Sequence, residues 1–170
     1  MESSTLGASL RTAFAAVPDP RLPHGLRHPL PAMLILVTTA MLSGARSVAV
    51  VARWGRLQSL ATVLALGFTR SRCPCGSTFP LVFAALDAVA FETVLTDWAL
   101  LHLGNARAIA VDGKGLRGIH GEELPGGRLV AAYADDVGLV VAQTGGEQPR
   151  STQHELTAAP GVLARVPLRG

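Results

Sequence analysis

Lysine is nearly missing from this 170-residue sequence: fourteen of its fifteen basic side chains are arginine, and Lys114 stands alone. Arginine forks suit phosphate oxygens, but the same bias follows from genomic base composition. A net charge of +3 therefore permits a nucleic-acid partner without requiring one. Cysteine is scarce too. Cys73 and Cys75 form a single C-x-C pair, and without a second pair that spacing makes no zinc site. His24, His28, His102, His120 and His154 are scattered, with no H-x-x-x-H to place two ligands on one helix face. Only 16% of residues are charged, but nearly half are hydrophobic, which excludes general disorder. Long apolar runs are also lacking. The richest, Leu30 to Leu42, contains Thr38 and Thr39 and is closed by Ser43 and Gly44, short of the ~20 apolar residues of a membrane span. The opening MESSTLGASLRT carries an acid and an arginine and has no apolar core, unlike a secretory signal. These absences lead us to expect a cytoplasmic protein with a buried core and no membrane partner.

What is present divides at Gly104 into an all-helical half, residues 1–104, and a strand-rich half, residues 105–170, an α+β chain. Ser4 is placed to cap a first helix that ends before Pro18. Pro18 to Pro29 is a polar loop carrying Arg21 and Arg27, which could reach a DNA backbone or serve as a solvated connector. Pro29 or Pro31 opens a second helix that closes at Gly44, and Ser47 caps a third with Arg53 and Arg56 outward. A short helix lies within Leu57 to Gly67, and the segment Arg70 to Gly76 breaks it. Ser77 or Thr78 caps the next helix, and Asp87 the one after, in which Phe91, Leu95, Trp98 and His102 recur at helical spacing. In the second half, Arg128 to Ala134 and Gly138 to Gln143 are strand-like and joined by a turn holding Asp135 and Asp136. A short helix with Pro160 follows.

Between the halves lies ARAIAVDGKGLRG, Ala106 to Gly118. Ala108 to Val111 is too short for a helix and runs into Asp-Gly, so it reads as a buried strand that ends in a turn at Asp112. The three runs then make an antiparallel meander. A carboxylate at the end of a buried strand, beside Lys114 and Arg117, can anchor a divalent cation that faces a phosphate. Asp-Gly is equally a common hairpin turn with no chemistry. Gly113, Gly115 and Gly118 spell G-x-G-x-x-G, but Ile119 to Gly127 contains three glycines and a proline. It cannot supply the helix that a dinucleotide site requires.

The residues IAVDGKGLRG resemble the first catalytic strand of the H-repeat-associated group of DDE transposases, with Gly115 where that family usually has threonine. The helical half is similar to the family's leader as well: Asp19 and Arg21, Arg27 and His28, Gly44, Ser47 and Trp54 match in order, followed by Ser77, Thr78, Leu86 and Asp87. Phe79 and Pro80 depart from it, replacing an aliphatic-basic pair. The resemblance implies a ribonuclease-H-like domain in which Asp112 is the first carboxylate of a triad that binds Mg²⁺. It also implies a DNA partner, the transposon ends. Lys114, Arg117, Arg21 and Arg27 are then the candidate DNA contacts. Two-metal phosphoryl transfer needs several carboxylates, and the sequence stops at Gly170, where the resemblance places the strand that carries the family's aspartate followed by histidine and glutamine. The expectation is a transposase-type protein cut within its catalytic domain and unable to catalyse alone, or else a non-catalytic DNA-binding or regulatory remnant. A homo-oligomer or a separately encoded C-terminal half would be its protein partner.

Overall fold

The computed structural model describes residues 10–24, 26–102, 109–115, 128–135, 138–146 and 154–166, and in them the apolar run Leu30–Leu42 forms the helix at the centre of the first half. The elements in order are α1 (residues 10–15), α2 (Leu30–Leu42), α3 (Val48–Arg56), α4 (Leu60–Ala65), α5 (Thr78–Ala85), α6 (Ala88–His102), β1 (Ile109–Gly115), β2 (Arg128–Ala134), β3 (Leu139–Gly146) and α7 (His154–Leu163). They divide into two compact units, Met1–Val94 and Leu95–Gly170. The division falls inside α6, earlier than the glycine at 104 suggests, because Leu100 already packs on the core of the second unit.

In the first unit, α2 is buried at five successive positions from Ala32 to Leu36, so it is enclosed on all sides and not only along one stripe. Its two threonines do not violate that environment. The Thr38 hydroxyl donates to the Leu34 carbonyl at 2.9 Å and that of Thr39 to Ile35 at 2.8 Å. The helix ends in a Schellman motif: Gly44 N–H donates to Met41 and Ala45 N–H to Ala40, both at 2.9 Å, with Gly44 at φ 93°. The same motif closes α4 at Gly67, and Arg11 from α1 adds a donor to the terminal carbonyl of Ala65.

The caps at Ser47 and Asp87 form as the sequence indicates, accepting from Val50 N–H at 3.3 Å and Ala90 N–H at 3.0 Å. Ser59 caps α4 in the same way. Ser77 does not cap α5 with its side chain; its hydroxyl lies 3.2 Å from the Cys75 sulfur instead. No single helix among the described residues is long and apolar enough to cross a membrane.

In the second unit, β1, β2 and β3 form an antiparallel meander in that order. A bulge gives β3 one residue more than β2, so Val141 and Ala142 are both buried, against Val130, Ala132, Ala134 and Val162 of α7. β1 differs from the sequence reading. Strand pairing does not stop at Asp112; it continues through Gly113↔Val130 and Lys114↔Leu129 to Gly115↔Arg128. Asp-Gly is therefore neither a strand end nor a hairpin turn. Two glycines carry little strand preference of their own, and the partner strand decides their conformation.

Candidate functional site

Asp112 is the fourth of seven residues in β1 and pairs with Ala131, which pairs in turn with Gln143. Side chains alternate along a strand, and directly opposed residues share a face. Ile109, the partner of Ala134, packs on the α7-covered core, so Asp112 stands on the other face, where it is exposed. Lys114 lies two residues further along the same strand, opposite Leu129. Asp135 lies in the turn just beyond Ala134, past the Ile109 end of β1 and about 13 Å along the strand from the level of Asp112. The strand at Gly113–Gly115 leaves no helix N-terminus there for a dinucleotide. Arg117, His120 and Asp136 lie outside the described residues.

A metal site of the kind the resemblance implies needs more donors than this. Among the described residues no group of three or more His, Cys, Asp or Glu side chains is placed to hold a metal ion. Asp112 fits the role of one carboxylate ligand, and the described residues around it do not complete a two-cation site.

Arg21 and Arg27, paired by the sequence as possible DNA contacts, have different structural roles. Arg21 is tied into its own loop. Its guanidinium donates to both carboxylate oxygens of Asp19, at 2.8 and 2.7 Å, and to the carbonyl of His28 at 2.8 Å, and it approaches the sulfur of buried Met33 at 3.6 Å. This hydrogen bonding holds the Asp19 carboxyl below its usual range. Arg27 is exposed and has no ion pair or hydrogen bond among the described residues. It borders a cleft of about 570 Å³ together with His28, Arg70, Ser71, Arg72 and Cys73. A second cleft, of about 340 Å³, shares Arg27 and His28 and adds Cys75, Ser77 and Thr78. Burial, then the charges of Arg70, Arg21 and Arg27, push His28 toward its neutral form. Its Nδ1 is buried with no hydrogen-bond partner, and its ring meets Phe68 edge-on at 5.7 Å. Beside it, hydroxyls of Ser77 and Thr78, each 3.2 Å from the sulfur, bring the exposed Cys75 thiol down to about 7, whereas burial raises Cys73.

Sequence reading treated Arg70 and Arg72 only as part of a helix-breaking segment. The signal for their proximity to Arg27 is not local: 43 residues separate Arg27 from Arg70, and the contact of His28 with Phe68 joins the two loops.

Comparison with known proteins agrees with the chain's resemblance. Residues 11–99 match the family model described as DDE_Tnp_1-associated. An "Uncharacterized protein in dhlA 3'region" of Xanthobacter autotrophicus is 33% identical over 165 residues, covering 92% of this chain and 54% of its own length. A protein of Escherichia coli strain K12 named "Putative transposase YncI" is 27% identical over 159 residues, 91% of this chain and 62% of that protein. Its namesake in Escherichia coli O157:H7 is 26% identical over 165 residues, 95% of this chain and 41% of that protein. No solved structure matches the chain. The chain thus belongs to the DDE transposase-associated family. It spans about half the length of the curated relatives it matches.

Proposed function

We propose that this chain is the DNA-binding portion of a transposase-type protein, and that Asp112 is the first carboxylate of a divalent-cation site completed by residues from outside those described. The family match across 11–99 carries this reading. The exposure of Asp112 on the sheet face away from α7 supports it, since a metal ligand must be open to cation and DNA. In this reading the strand-rich half is part of a ribonuclease-H-like domain, and Mg²⁺ is the ion. When bound, the cation would polarise a phosphoryl oxygen and activate a hydroxyl or water. Asp112 alone does not hold two cations, so in this reading the described residues bind DNA and supply one ligand of the metal site. The further carboxylates would come from outside the described residues, whether of the same polypeptide, of a separately encoded C-terminal half or of another subunit.

The test combines binding with cleavage. Full-length chain should shift duplex DNA carrying transposon ends and should not cleave it in Mg²⁺ or Mn²⁺, and Asp112→Asn should bind equally well. Cleavage that disappears in Asp112→Asn would show that a complete site forms from this chain alone. Absence of any DNA binding at low salt would remove the functional reading altogether.

A further inference from the structure

We propose that the paired clefts around Arg27, Arg70 and Arg72, in the first unit, are the surface that grips the phosphodiester backbone of DNA. This rests on the reading of the chain as a DNA-binding protein and says where that binding occurs. The three arginines come from two loops and border one depression. All are exposed, and none has an ion pair or hydrogen bond among the described residues. The lining of both clefts contains no carboxylate. Hydroxyls of Ser71, Ser77 and Thr78 lie along the same surface and could supply neutral donors beside the charged ones.

Recognition of a free nucleotide suits the site less well. Its only ring is the half-buried imidazole of His28, and no Phe, Tyr or Trp lines either cleft to stack a base. Guanidinium groups spread over two clefts that share Arg27 match a run of phosphates better than a single one. Arg21 borders the second cleft but spends its donors on Asp19 and His28, so its part is to fix the loop that carries Arg27.

Phosphate neutralisation releases counterions, and the logarithm of affinity falls with the logarithm of salt concentration by about 0.9 per phosphate contacted. The experiment is fluorescence anisotropy of a labelled duplex of arbitrary sequence, titrated with the full chain between about 50 and 200 mM salt. Each of Arg27→Gln, Arg70→Gln and Arg72→Gln should lower the salt slope by about 0.9, and the triple variant by about three times that. Arg53→Gln and Arg56→Gln, on exposed positions of α3 outside the clefts, should leave it unchanged. Circular dichroism of each variant checks the fold. Normal wild-type binding with an unaltered slope in a folded triple variant would overturn the groove and leave the DNA reading standing. An equal loss from the α3 pair would also overturn it, by showing diffuse attraction. If the wild type does not bind DNA, the functional reading fails first and takes the groove with it.

Discussion

Arg21 shows how a side chain that looks like a ligand can be part of the scaffold. Its bonds to exposed Asp19 contribute little by themselves, but the bond to the His28 carbonyl and the packing on Met33 hold the loop from Pro18 to Pro29. Arg21→Ala should cost about 1–2 kcal/mol, read as a lower denaturation midpoint. The pH dependence has a definite sign. Asp19 ionises more readily folded than unfolded, so its contribution is complete above the ordinary carboxyl range and is lost as pH falls through the lowered folded value. His28 acts at higher pH. Its folded form resists protonation, so stability should decline as pH drops from about 7 through the unfolded imidazole value near 6.5, until the folded ring protonates too. His28→Gln should flatten that decline in equilibrium unfolding; an unchanged slope in the variant would exclude His28 as its source.

The helices were largely legible from punctuation, because their boundaries are set by short-range chemistry. Ser47 and Asp87 cap, Gly44 and Gly67 take positive φ, and Leu30–Leu42 is buried. β1 was legible in place but not in extent, since Gly113 and Gly115 reveal strand only through Val130 and Arg128 across the ladder. Asp112 stands out as a candidate from its neighbours in sequence, whereas the arginine clefts do not, because they depend on two loops meeting at His28 and Phe68. The meander also predicts its own dynamics. β2 is paired on both sides, and β1, among the described residues, on one. Hydrogen exchange should therefore be slowest in β2, with the outward amides of β1 exchanging early. Protection in β1 equal to that in β2 would mean that another strand covers its edge.

Across the whole molecule, the proposed binding surface and the proposed metal ligand sit in different units: the arginine clefts lie within Met1–Val94, Asp112 within Leu95–Gly170. Affinity and metal dependence should accordingly respond to different substitutions. The lysine count sharpens this separation. The chain carries one ε-amine, at position 114 in β1, two residues beyond Asp112, while the clefts draw their positive charge from arginine. Amine-selective reagents therefore have one side-chain target, in β1, and dicarbonyl reagents address the arginines. Enzymes that acetylate or ubiquitinate lysine meet the same restriction: within these 170 residues any such mark on a lysine side chain falls two positions from Asp112 in the sequence, and none falls on a cleft arginine.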